Sequence, residues 1–324
     1  MPTAIQTKNE PPTSSDSLAD LTSLLRELND LKRVRAAHYV GSFSDRLFTD
    51  AWRALLAGDD LTHVALNITA RAVAATRLAG IDSDAMLTHG LADDEIDRLL
   101  VAAIDNVGES VPFALRDPLR RAVRGRFEGA NATDLPAFVG QLLRQPRAGA
   151  THPGRPRMIL EPAESHGDHC LLVAVNAVLV SPRFGGDVGV AFLTGLAHHL
   201  FNGTLPDAGF NGDVILHEAG VLDRVTAAAF ALAKADLRQR SPDLLAAVEH
   251  ALTFTKLTDP PESRCFHAAD VFDRVLEMEF FARCARFTLA DAVVGLDIVH
   301  AAPEQSFQRQ ALTEAGIWKD WPRD

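Results

Sequence analysis

Cysteine is scarce in this chain. Cys170, Cys265 and Cys284 are the only three, and none belongs to a Cys-x-x-Cys pair. An odd count without paired spacing excludes a disulfide framework and reads as a reduced, cytoplasmic protein, with the thiols acting as small buried apolar residues. Uninterrupted apolar runs of roughly 18 residues are also missing, which argues against a membrane-spanning helix. Positive charge is short, with 32 basic against 43 acidic residues and a net charge of −11. A field of that sign disfavours nonspecific nucleic-acid binding and anionic membranes, although a local basic patch can still hold one phosphate. No Walker motif, nucleophile elbow or dinucleotide fingerprint occurs. The first seventeen residues lack a basic head followed by an apolar run, so they do not read as a secretory leader. Their Pro, Ser, Thr and charge content predicts a disordered tail over 1–17.

What the chain does have is helical periodicity and enough apolar residues, 47%, for a substantial core. Leu21, Leu24, Leu25, Leu28 and Leu31 form one stripe, and amphipathic stretches follow near 44–57, 61–79, 93–105 and 113–126. The pattern resumes near 165–181, 187–200, 217–236, 242–255, 267–286 and 289–299. Ser241-Pro242 reads as a capping serine with proline at the first helical position, and Thr288 to Asp291 as a capping box. Alternating strand patterns are scarce, so the fold class is all-α.

A Pro-, Gly- and Arg-rich stretch at 145–157 (QPRAGATHPGRP and Arg157) reads as a linker between helical domains at 18–144 and 158–324. The halves share a faint internal similarity. His63 begins an apolar-Ala helix as His169 does, Leu87-Thr88 parallels Leu193-Thr194, and Ala132-Thr133-Asp134 parallels Ala268-Ala269-Asp270. This is the expected trace of a tandem duplication whose first copy has degenerated, and equally of chance likeness between two Ala/Leu-rich halves.

Chemistry concentrates in the second half. His169, the pair His198-His199, His217, His250 and Asp270 each fall in a stretch read as helix. Neutral imidazole nitrogens and a carboxylate suit Fe, Mn or Zn, and ligands from separate helices can converge inside a bundle. A lone histidine in such a helix is more often a hydrogen-bonded core residue; the set carries the metal reading. Asp273, Glu277 and Glu279 follow Asp270 on the same expected helix, and the first two share its face. Asp168 and Glu164 stand beside His169. Arg120, Arg121, Arg124, Arg126, Arg144, Arg147, Arg155 and Arg157 could hold a phosphate or simply be solvated.

The order His169-Cys-Leu-Leu-Val-Ala, Leu196-Ala-His198-His199, His217-Glu-Ala-Gly220, Val248-Glu-His250 and Ala269-Asp270 resembles the HD superfamily of metal-dependent phosphohydrolases, over roughly residues 160–285. The resemblance implies an HD-like helical bundle, His217-x-x-Gly220 at a helix start, and one or two divalent ions (Fe, Mn or Zn). His169, His198, His199 and Asp270 would hold the first ion, and His217 and His250 would serve the second. It further implies hydrolysis of a nucleotide or other small phosphate ester through a metal-activated water, with Asp168 as general base. One departure stands out: the family's His-Asp pair is His198-His199 here, and imidazole cannot bridge two ions as a carboxylate does. Three outcomes follow: His199 ligates one metal only, the site is mononuclear, or the site is inactive. A di-iron oxygenase and a non-catalytic signalling or scaffold protein of the same ancestry remain alternatives. Expected partners are a phosphate-containing small molecule, with neither nucleic acid nor membrane; a homodimer is compatible with the sequence.

Overall fold

The computed structural model describes residues 18–124, 135–149, 151, 153–154, 157–284, 290, 293–294, 299, 305–314 and 318–322. The expected tail at 1–17, Arg126, Ala132 to Asp134, Arg155 and, of the expected capping box, Thr288, Leu289 and Asp291 lie outside them. Among the described residues the regular elements are helical, and an isolated bridge pairs Pro146 with Ser165 in antiparallel sense. No helix among them is long and apolar enough to cross a membrane.

The leucine stripe becomes α1 (Leu18–Asn29), continued by a 3-10 turn over Asp30–Lys32. Then come α2 (Phe43–Ala57), α3 (Leu61–Leu78), α4 (Ser83–Thr88), α5 (Asp93–Asn106), α6 (Phe113–Ala122) and α7 (Ala137–Arg144). After the 145–157 stretch follow α8 (His166–Phe184), α9 (Val188–Ala197), α10 (Gly209–Glu218), α11 (Leu222–Arg240), α12 (Pro242–Thr253) and α13 (Pro261–Cys284). Ser241 caps α12 by accepting the Leu244 N–H, with Pro242 at its first position.

The 217–236 stretch, expected as one helix, is two. Gly220 adopts a left-handed φ of 67°, so α10 stops at Glu218 and α11 starts at Leu222. His217 therefore ends a helix rather than beginning one.

The chain divides into compact units at 1–276 and 277–324. The second contains α14 (Gln305–Glu314), where the Arg309 guanidinium lies 5.3 Å from the Trp321 ring centroid and Trp321 Nε1 donates to Thr313 Oγ1. In the first unit, helices from both sides of the 145–157 stretch contribute to one apolar core, from Leu21 to Ala269. Helix α8 is its axis: all sixteen residues from His166 to Ser181 are buried, as an apolar-all-round helix requires. It packs on α2, α3, α7 and, most closely, α9.

Two features position that axis. Gly195 of α9 lies so close to α8 that a Cβ there would come within 2.6 Å of the Ala174 backbone, which lets the two helices approach and delivers the end of α9 to the start of α8. The starts of α2 and α8 also interlock. Each begins with a capping box, Ser42 with Asp45 and Ser165 with Asp168. The boxes then exchange bonds: Ser165 Oγ donates to Asp45 Oδ1 at 2.7 Å, and the Ser42 and Ser44 hydroxyls donate to Asp168 Oδ1.

Candidate metal centre

Four imidazoles gather where α8 begins and α9 ends. His166 and His169 leave the first turns of α8; His198 is the residue that closes α9, and His199 follows it. Ring centroids are 5.1 Å apart for His169 and His198, 4.2 Å for His198 and His199, and 5.2 Å for His169 and His199. His166 joins from the far side, 5.0 Å from His199. Ligand atoms of His169, His198 and His199 all lie within 4.8 Å of one another.

Hydrogen bonding decides which nitrogens carry lone pairs. His198 Nδ1 lies 2.6 Å from the Gly195 carbonyl, which only accepts, so Nδ1 holds the proton and Nε2 a lone pair. His169 Nδ1 lies 2.7 Å from Asp273 Oδ2 and donates to it. The two Nε2 atoms stand 3.2 Å apart, and Asp270 Oδ1 is 3.5 Å from that of His169. With both imidazoles neutral, three acceptors face one another, an arrangement that needs a proton or a cation between them.

The ionisation of the groups follows. Burial and the charge of Arg147 work against protonation of His169, yet its bonds to Asp270 and Asp273 raise it above the ordinary histidine value. Burial, then the neighbouring His169, pushes His198 down to about 3. Burial works against the Asp270 charge too, but His169, His198 and Arg274 hold it well below the usual carboxylate range. Two imidazole nitrogens with an ionised carboxylate are a donor set for a borderline divalent ion such as Fe, Mn or Zn.

A buried ion-pair system supports this set. Lys32 Nζ reaches Glu164 Oε2 at 2.6 Å and Asp273 Oδ1 at 2.9 Å, with all three side chains buried or nearly so. Lys32 and His169 hold Asp273 below its ordinary range despite its burial; Glu164 is raised, because burial outweighs Lys32. The run Lys32–Asp273–His169 fixes the ring that presents Nε2, the usual arrangement behind a ligating histidine.

His199 is held differently. Its Nδ1 bonds Asn202 Oδ1 at 2.7 Å, and Asn202 Nδ2 donates to the Leu205 carbonyl, which fixes the amide orientation and makes His199 Nδ1 the donor. The lone pair on His199 Nε2 accepts from Arg147 Nη1 at 2.9 Å. Both nitrogens are thus engaged. Burial, His198 and Arg147 keep this ring neutral, well below the usual histidine value.

Of the six expected ligands, the structure brings His169, His198 and His199 together with Asp270 beside them. His217 is exposed at the end of α10, and His250 is exposed on α12 against the Phe254 ring; neither belongs to a cluster of converging ligand atoms among the described residues. Asp168, the expected base, is 3% exposed at the start of α8 and accepts from the Ser165 N–H and from two serine hydroxyls. Burial and neighbouring Asp45 raise it above the usual carboxylate value.

Two site residues went unread in the sequence. Lys32 stands four positions after Leu28, on the apolar face of the first helical stripe, and a lone lysine on such a face signals a buried counterion. His166, three positions before His169, shares its helix face. No family model, curated protein or solved structure matches this chain.

Proposed function

We propose that this chain is a metal-dependent phosphohydrolase that holds one divalent ion through His169 Nε2, His198 Nε2 and Asp270. The carrying observation is the convergence of these acceptors, 3.2 and 3.5 Å apart, each oriented by a partner behind it. When bound, such an ion lowers the pKa of a water ligand towards neutrality and polarises a phosphoryl oxygen. The order of histidine motifs along the chain supports a nucleotide or other small phosphate ester as substrate.

The residues divide the work. Asp273, backed by Lys32, keeps the His169 proton on Nδ1; the Gly195 carbonyl does the same for His198. Asp270 brings the negative charge, tempered by Arg274 Nη2 at 2.9 Å. Asp168 is assigned to the α2–α8 interlock, not to proton transfer, because serine hydroxyls and a backbone N–H occupy its oxygens. A di-iron oxygenase needs ligands for a second ion. The exposure of His217 and His250 and the engagement of His199 favour a single ion.

The test is release of phosphate from a panel of nucleotides and simple phosphate esters by manganese-loaded protein. Turnover should vanish on chelation and in His198→Ala. Turnover that survives both treatments contradicts the reading. Metal binding without any turnover on the panel leaves a non-catalytic metalloprotein.

A further inference from the structure

The segment 145–147 does more than connect. Its antiparallel bridge, Pro146 opposite Ser165, is closed by two backbone hydrogen bonds, His166 N–H to the Gln145 carbonyl and Arg147 N–H to the Glu164 carbonyl. This one bridge sets both Arg147 and His166 against His199. Arg147 Nη1 donates to His199 Nε2, and Arg147 Nε lies 3.6 Å from Glu164 Oε1. Its side chain is 20% exposed, and its hydrogen bond to His199 runs through Nη1. The guanidinium is thus anchored on one edge and open on the other, one imidazole away from the His169–His198 pair.

His166 supplies a second, independent observation. Its ring is fully buried, its Nδ1 gives a proton to the Gln145 carbonyl at 3.0 Å, and its Nε2 lone pair has no hydrogen-bond donor among the described residues. The Asp207 carboxylate, Oδ2 at 3.8 Å, is itself an acceptor. A buried acceptor left without a donor costs roughly 1–3 kcal/mol, so a ligand that brings a proton is favoured there. Beside His199 there stand, then, a guanidinium edge that wants acceptor oxygens and an imidazole that wants a donor.

Charge points the same way. The carboxylates Glu164, Asp270 and Asp273 are matched by Lys32, Arg147 and Arg274 in direct ion pairs, and Asp207 beside His166 adds one further negative charge, stabilised by the Ala148 and Gly209 N–H groups. A divalent ion added to this set still leaves positive charge, which an anionic ligand would neutralise; a second ion would raise the excess further.

We propose that Arg147 and His166 form the anion-binding half of this centre, receiving the phosphoryl group of a phosphomonoester, with the Arg147 fork on two oxygens and His166 Nε2 on the remaining P–OH. This deepens the phosphohydrolase reading and rests on it for the neighbouring ion, but the anion site itself is built from residues that hold no metal. A guanidinium is suited to it by its planar pair of donors.

The experiment is calorimetric titration of inorganic phosphate into the full chain, manganese-loaded and metal-free. Manganese-loaded wild type should bind one phosphate per chain. Arg147→Gln should keep one equivalent of manganese and bind phosphate at least about tenfold more weakly, the loss of a charge-assisted bond. Arg147→Lys should fall between, and His166→Phe should weaken phosphate without loss of manganese. Unchanged phosphate affinity in Arg147→Gln with manganese retained overturns the proposal, as does a wild type that binds no phosphate in either state. Should Arg147→Gln fail to fold, the lysine variant decides: wild-type affinity there overturns the role of the fork. A wild type that takes no manganese but binds phosphate through Arg147 would refute the hydrolase reading and leave the anion site standing.

Discussion

His198 Nε2 faces His169 Nε2 across 3.2 Å, and each ring has its other nitrogen committed, to the Gly195 carbonyl and to Asp273. With both Nδ1 atoms donating, the facing lone pairs call for one proton in that gap in the metal-free chain, and the bonds to Asp270 and Asp273 that raise His169 favour that ring over His198. An ion can enter only by displacing it. Metal binding near neutral pH should therefore release about one proton per ion, read by calorimetry in buffers of different ionisation enthalpy. The apparent affinity should fall as pH drops. Binding with no proton release would mean that the ion sits elsewhere.

Acid should destabilise the metal-free chain. His198 and His166 are pushed down to about 3 and about 4, chiefly by burial. Against an unfolded value near 6.5, the stability they contribute is present above about pH 6.5 and lost as pH falls towards 4 and 3. His169, raised, has the opposite sign: its contribution is full below about 6.5 and is lost as pH rises through its folded value. His199 is lowered too, so three groups outweigh one, and the unfolding free energy from urea titration should drop between pH 7 and pH 5, by an amount on the order of a few kcal/mol, with the midpoint falling alongside. His166→Phe should flatten the slope. A midpoint that rises towards pH 5 would contradict this assignment.

Lys32 neutralises two buried carboxylates. Lys32→Met should cost about 3–5 kcal/mol, because Glu164 and Asp273 are left without it. Adding Glu164→Gln should restore part of the loss, a non-additivity that a double-mutant cycle reads directly. Simple additivity would show the lysine acting through packing alone.

Asp168 separates two roles. If it locks α2 to α8, Asp168→Ala should lower stability by about 1–3 kcal/mol while manganese stoichiometry and turnover per folded molecule stay as in the wild type. Lost turnover at unchanged stability would restore it as the base.

Gly195 couples fold and site. Gly195→Ala must push α9 from Ala174 and should cost about 1–3 kcal/mol. Because the Gly195 carbonyl also orients His198, manganese affinity should fall with it. Wild-type stability and affinity in this variant would show that the close approach is dispensable.

Much of the fold was legible because helices that build a core keep their period: α2, α3, α5, α8 and α12 stand close to where their apolar spacing puts them. The break at Gly220 was not, since a glycine inside a helical pattern reads the same whether φ is negative or, as here, 67°. Within the site, His169, His198 and Asp270 could be read because their residue types and order survive in one dimension. His217 and His250 carried the same signals yet stand exposed, which only the packing of α10 and α12 reveals. Lys32 escaped for a different reason: it lies 137 residues from His169 in the chain, and only the fold brings its charge to the site; Arg147 was legible only as one of eight arginines that could hold a phosphate.

The most direct test of the central claim is elemental analysis of the purified chain beside its His198→Ala variant, both dialysed against manganese or zinc and shown to be folded by circular dichroism. One equivalent of divalent metal per wild-type chain, absent from the variant, is the result predicted by the facing nitrogens of His169 and His198. No metal in the wild type, or an equal amount in His198→Ala, would contradict it.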